Sequence, residues 1–265
     1  MYFHFLTGLR LGVRSRSFFA LVLVGLLAMV AAYFASFFSG RHPATIAMDV
    51  GVSAIRILGV LLVLFWTQEL FSRDIDRKVL FSTLTYPLPR RSYVLGRFLG
   101  LGLLVLAALV VFGLLLAGLG SAAGFGYQQS TPVNNGIAVA GVVGGLWVDL
   151  MTVAAFTWLL SSVSTSPLLP FLLGLAFAWA ARTLGPVLAY LSSEQARGLE
   201  KGFEGPLNFI RWLLPDLSRL DFRDGLLYGQ WPETDFILAA LANGAGYILL
   251  LLGLSVLVFN RREFG

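Results

Sequence analysis

The sequence predicts an all-α integral membrane protein: six transmembrane helices, an amphipathic N-terminal helix before them, and a charged cytoplasmic helix between helices 2 and 3. Three observations predict this. Hydrophobic residues make up 57% of the 265-residue chain and charged residues only 12%, against about 25% charged in soluble domains, and the mean hydropathy is +0.81. Apolar runs at roughly 18–38, 51–71, 97–118, 137–162, 168–190 and 235–259 are each long enough to cross the hydrocarbon core at 1.5 Å per residue. The 29 glycines suit a bundle in which small residues let helices approach where no hydrophobic effect drives them together.

Residues 1–17 put Tyr2, Phe5, Leu6, Leu9 and Val13 on one face at helical spacing, with Arg10 and Arg14 off it, the pattern of a helix lying along a membrane surface. The apolar run after it is too long for the core of a signal peptide, so a cleaved leader is not expected. Long connections are expected at 39–50, 72–96, 119–136 and 191–234, with a short link near Ser161–Pro167, all within one membrane domain over 1–265. Basic residues near helix ends set the orientation. With the N-terminus inside, the inner face holds Arg10, Arg14, Arg16, Arg73, Arg77, Lys78, Arg90, Arg91, Arg97, Arg261 and Arg262, against Arg41, Arg197, Lys201, Arg211, Arg219 and Arg223 outside. Eleven against six puts both termini in the cytoplasm. The same asymmetry accounts for the net charge of +5, so no nucleic-acid partner is called for.

Enzymatic signatures are missing. There is no cysteine, hence no thiolate metal site or cysteine nucleophile. The two histidines, His4 and His42, flank the first span and form no HExxH motif. No serine motif pairs with a histidine at membrane depth, and no glycine-rich loop ends in Lys-Ser or Lys-Thr to cradle ATP. The glycine-rich GVVGGLW at 141–147 lies inside a span and reads as close packing. An enzyme is not expected, and the chain itself should bind no cofactor.

The segment from Thr67 to Gly100, TQELFSRDIDRKVLFSTLTYPLPRRSYVLGRFLG, is the informative exception to the apolar background. Glu69 closes the second span, near enough to the surface to be solvated or to pair with Arg73. Arg73, Asp74, Asp76, Arg77 and Lys78 follow on a helix whose apolar face is Val79, Leu80, Phe81 and Leu84, before Tyr86-Pro87-Leu88-Pro89 breaks it. Arg90 and Arg91 open the return, and Tyr93-Val94-Leu95-Gly96-Arg97 leads into the third span. A short amphipathic helix bracketed by charge and proline suits a partner's groove; equally, it suits a resting place on anionic lipid.

This segment resembles the connection between the second and third helices of ATP-binding-cassette exporter permeases of the ABC type-2 class. The shared pattern is an acidic residue ending the second helix, a charged stretch, a helix rich in Leu or Ile, then Pro-x-x-Arg and Tyr-x-x-Gly followed by Lys or Arg. It matches Glu69, Arg73 to Lys78, Leu80 to Leu84, Pro87 to Arg90 and Tyr93 to Arg97. Pro89 and Arg97 depart from the commoner small polar residue and Lys. The six spans, cytoplasmic termini, N-terminal elbow helix and long outer segment before the last helix extend the resemblance over nearly the whole chain. The single-domain permeases of the copper-enzyme-maturation and gliding-motility type look most similar.

The resemblance implies a division of labour. A separate cytoplasmic ATPase dimer would hold ATP and Mg, and a coupling segment at 72–92 would transmit its closure. The coupling set would be Glu69, Arg73, Asp76, Arg77, Leu80, Phe81, Leu84, Pro87, Arg90 and Arg91. A second permease copy, identical or related, would complete the path across the cell inner membrane. A secondary transporter or channel subunit working without an ATPase is the alternative.

Three ionisable residues fall inside apolar runs: Arg56 and Arg182 in the outer third of theirs, Asp149 near the middle. Isolated charges there are costly, so each needs a partner or water. Either Asp149 pairs with an arginine, or the three line a route for a polar or anionic head group; Arg56 could instead snorkel outwards. The amphipathic 191–234 segment holds Phe209, Ile210, Trp212, Leu213, Leu214, Leu217 and Leu220, interrupted by Pro215. It reads as short helices at the outer interface with Trp212 and Trp231 as boundary aromatics. The resemblance implies an outer gate formed by Phe209, Trp212, Leu213, Pro215 and Leu217; an outer-face accessory protein docking here is the other reading. Four methionines, two histidines and no cysteine disfavour a path for soft metals such as copper.

Overall fold

Inside lipid every backbone polar group must be satisfied within its own segment, and all six apolar runs are accordingly helical. The computed structural model describes residues 2–72, 90–123, 133, 136–164, 166–191, 193, 210 and 213–261. Their order is α1 (Tyr2–Val13), α2 (Arg16–Ser36), α3 (Pro43–Thr67), a π-helical turn at Gln68–Ser72, α4 (Arg90–Ala122), α5 (Ile137–Val163), α6 (Leu168–Leu191), a 3-10 turn at Leu217–Leu220, α7 (Arg223–Tyr228) and α8 (Thr234–Arg261). The helices α2, α3, α4, α5, α6 and α8 are long and apolar enough to span a membrane. The chain is an all-α, multi-pass membrane protein.

Two spans outrun their hydropathy. Helix α3 begins at Pro43, inside the connection expected at 39–50, because proline at the first helical position has the right φ and needs no N–H partner. Helix α4 begins at Arg90 rather than near residue 97. Of the segment 72–92 expected to couple to an ATPase, residues 73–89 lie outside the described residues.

The break between α1 and α2 is made by Ser15. Its Oγ caps α2 by accepting from the Phe18 amide at 3.1 Å and also accepts from Trp66 Nε1 at 3.4 Å. Phe18 stacks on Trp66 at 5.5 Å. Helix α1 then packs against α4, but not by the apolar face its periodicity selects. His4, Gly8 and Gly12 are the buried positions, while Phe5, Leu6 and Leu9 are half-buried and Val13 is exposed. Close approach explains this. A Cβ on Gly12 would strike Leu104, and one on Gly100 of α4 would sit 3.2 Å from the Phe5 carbonyl, so the smallest residues of both helices face each other.

The centre of the bundle is α5, which touches α3, α4, α6 and α8. Leu150, Val153, Ala154, Ala155 and Trp158 are fully enclosed there, and Phe156 stacks on Phe177 of α6 at 4.1 Å. At the end opposite α1, residues 213–231 do not lie flat. The 3-10 turn wedges against α5, α6 and α8, and α7 rests on α3 and α5, with Leu217, Leu220, Phe222, Leu226 and Leu227 buried. The glycines of GVVGGLW make room: Gly145 faces the Leu220 carbonyl and the Phe222 ring, and Gly141 faces Trp231.

This fit is testable. Gly145→Ala pushes a methyl group into backbone and should cost about 1–3 kcal/mol, seen as a lower melting temperature in detergent. Its neighbour Gly144 has open space around it, and Gly144→Ala should be neutral or slightly stabilising, since alanine favours helix.

Candidate functional site

The three intramembrane charges meet. Arg56 stands thirteen residues into the 25-residue α3 and Asp149 twelve into the 27-residue α5. Arg182 stands fourteen into the 24-residue α6. Because α3 starts earlier than its apolar run, Arg56 sits at mid-helix, not in the outer third, and it does not snorkel. Arg182 donates from Nε and Nη2 to Asp149 Oδ2 at 3.1 and 2.8 Å. Arg56 Nε lies 3.5 Å from the same oxygen. Asp149 thus takes both arginines rather than one.

The chain of charges continues outward. Arg56 Nη1 donates to Asp221 Oδ2 at 2.5 Å, and Arg223 Nε donates to both Asp221 oxygens at 3.1 and 3.0 Å. Arg223 Nη1 reaches Asp49 Oδ1 at 3.0 Å and Ser53 Oγ at 3.3 Å. Read from the centre, the order is Arg182, Asp149, Arg56, Asp221, Arg223, Asp49, with signs alternating and three charges of each kind. The sum is zero, which is what a low-dielectric interior demands of buried ions. The gradient is equally clear: the Asp149 side chain is 1% exposed and that of Asp49 is 49% exposed.

Local structure sets these positions. Asp49, Ser53 and Arg56 are spaced by four and three, so they share one stripe of α3. Asp216 caps the 3-10 turn, its Oδ1 accepting from the Ser218 amide at 3.1 Å and from Ser218 Oγ at 2.6 Å, and the turn delivers Asp221 and Arg223 inward. In α6, Pro186 has no N–H to offer the Arg182 carbonyl four residues earlier, so the ladder loses a bond beside the arginine. Asp149 Oδ1 takes no hydrogen bond among the described residues, although the carboxylate is enclosed.

Asp49, Ser53 and Asp221 escaped the sequence reading, and Arg223 entered it only as an outer basic residue. The i, i+4, i+7 spacing that Asp49 and Ser53 make with Arg56 on α3 was a signal available for two of them; nothing local marks Asp221. Of the outer set, Pro215 and Leu217 are buried in the wedge and Leu213 is exposed, while Phe209 and Trp212 lie outside the described residues. Of the coupling set, Glu69 lies in the π-helical turn, Arg90 and Arg91 open α4, and Arg91 is exposed. Arg73, Asp76, Arg77, Leu80, Phe81, Leu84 and Pro87 lie outside the described residues.

At the α1 end, Arg97 is buried beneath the elbow rather than set at a surface, its guanidinium 5.5 Å from the centre of the Tyr93 ring. Tyr93 stacks on Phe259 of α8 at 5.9 Å and meets His4 edge-on at 5.4 Å. Burial, helped by the positive charge of Arg97, holds the His4 imidazole below its ordinary value. Among the described residues, no group of three or more His, Asp or Glu side chains stands ready to hold a metal ion.

Compared with known proteins, the chain matches no family model, and a search of curated proteins finds no match either.

Removing the Asp149 charge should strand Arg182, whose hydrogen-bonded partner it is, more than Arg56, which keeps Asp221. Asp149→Asn is therefore expected to cost about 3–5 kcal/mol, read as a loss of monodisperse protein in detergent. Adding Arg182→Gln should restore much of the yield, and adding Arg56→Gln much less. For His4 the folded state binds a proton more weakly than the unfolded chain, so stability rises with pH below the ordinary histidine range. Lowering the pH from about 7.5 to about 5.5 across that range should lower the melting temperature, and His4→Gln should flatten the change.

Proposed function

We propose that this chain is the permease subunit of an ATP-binding-cassette exporter, working as a dimer in the cell inner membrane with a separate cytoplasmic ATPase. The observation that carries the reading is the Glu69–Arg97 stretch, a charged and proline-broken segment with an amphipathic middle in an otherwise apolar chain. Its two anchors support a lever. Glu69 ends α3 in a turn of π-helix, and Arg97 is clamped between α4, the elbow glycine Gly8 and the Tyr93 ring. A push on residues 73–89 is therefore passed to α3 and α4 together, and α3 carries Arg56 to the charge centre. Both termini and this segment are cytoplasmic in the proposal, which turns the 213–231 wedge outward as the closure of the path. ATP and Mg belong to the partner, and an outer accessory protein has the wedge as its landing place.

One observation favours the second reading, a secondary transporter or channel without an ATPase: an enclosed carboxylate oxygen, Asp149 Oδ1, beside two arginines, the kind of group that ion-coupled carriers place at mid-membrane. Purification in mild detergent separates the two. The permease reading expects an ATPase with a P-loop to co-purify, and its recovery to fall when Leu80, Phe81 and Leu84 are all changed to Ala. At about 1 kcal/mol or more for each truncated anchor, the complex should weaken on the order of 100-fold. Wild-type recovery of ATPase by the triple variant would sink the docking assignment, and transport by the purified chain in vesicles without ATP would establish the second reading.

A further inference from the structure

Beside the wedge, the far halves of α6 and α8 are held apart by residues 214–220, leaving a groove of about 360 Å³. Leu184 and Leu188 of α6 and Leu214 of the wedge give it an apolar lining, and Asp216, Arg219, Asn243 and Tyr247 a polar one. Asn243 and Tyr247 stand nine and thirteen residues into α8, about 14 and 20 Å along the helix at 1.5 Å per residue. Polar side chains at that depth are costly against hydrocarbon, and both line this groove. Next to the lining residues in the chain, Val187 and Leu213 are exposed apolar side chains.

Arg219 is prepared at the mouth. Its Nε donates to Asp216 Oδ2 at 3.3 Å, and its guanidinium lies 5.9 Å from the centre of the Phe236 ring. The second Asp216 oxygen is already engaged by Ser218. Among the described residues the two terminal nitrogens of Arg219 donate no hydrogen bond, and the side chain is 54% exposed. Asp216 cancels part of the charge, so what remains is an oriented two-nitrogen fork, the geometry that takes an oxyanion in bidentate fashion.

We propose that this groove is a binding site for a glycerophospholipid-like amphiphile. The Arg219 fork holds the head-group phosphate, Asn243 and Tyr247 meet the ester and hydroxyl region, and an acyl chain lies over Leu184, Leu188 and Leu214. A free phosphate would leave the leucine lining unused, and a neutral lipid would leave the fork empty. The site needs no ATPase, so it stands or falls separately from the permease reading.

Native mass spectrometry of the purified chain with added short-chain phosphatidylglycerol tests it. Arg219→Gln should lower lipid retention about tenfold or more, as loss of a charge-assisted pair implies. Leu188→Trp, which fills the groove while keeping the fork, should do the same. Arg41→Gln removes an exposed arginine outside the groove and should retain lipid like wild type, and an equal concentration of glycerol 3-phosphate should not displace it. Wild-type retention by Arg219→Gln or by Leu188→Trp overturns the site. Equal loss in Arg41→Gln reduces it to surface charge, and displacement by glycerol 3-phosphate removes the amphiphile from the proposal.

Discussion

A carboxylate enclosed between membrane helices must be neutralised where it stands, and Asp149 imposes that condition on the rest of the bundle. One arginine would balance its charge. It has two, from α3 and from α6, and the second positive charge then needs a further carboxylate, supplied by Asp221 from a segment distant in sequence. Asp221 in turn meets Arg223, and Arg223 meets Asp49 near solvent. The four inner charges already sum to zero, and Arg223 with Asp49 adds a second neutral pair that carries the chain of ions to its more exposed end. Four pieces of the protein, α3, α5, α6 and the wedge, are thereby tied to one electrostatic account.

The same condition explains why the wedge is folded inward. Ion pairs in a dry site rarely stabilise in proportion to their Coulomb attraction, because desolvation offsets it. The apolar contacts of Leu217, Leu220, Phe222, Leu226 and Leu227 supply the burial that holds the wedge, and the ions fix where it sits. Glycine at 145 sets how near it comes. Shape and charge are thus specified by different residues.

The opposite end is built on another principle. There the elbow lies on α4 through glycines, and a stack of His4, Tyr93, Arg97 and Phe259 joins α1, α4 and α8. Aromatic faces and a buried guanidinium make this joint. One end is held by glycine contacts and stacked rings, the other by apolar packing and a chain of ion pairs, and the permease proposal draws on this asymmetry.

The number of spans, their helical state and the need for partners around Arg56, Asp149 and Arg182 were legible in the chain itself, because apolar run length and the cost of isolated charge are properties of local sequence and lipid. The lengths of α3 and α4 were not: helix continues past the edge of hydrocarbon wherever nothing breaks it, and hydropathy is silent there. Periodicity picked out the apolar face of α1 for a membrane surface and could not show which positions meet α4, since it weighs apolar area and is blind to the close approach that Gly8, Gly12 and Gly100 permit. The entry of Asp221 and Arg223 into the charge chain was decided by tertiary structure alone. Asp221 is separated from Arg56 by 165 positions, and no local spacing records that a wedge will carry it there; only the packing of four elements around one buried carboxylate brings those charges within reach.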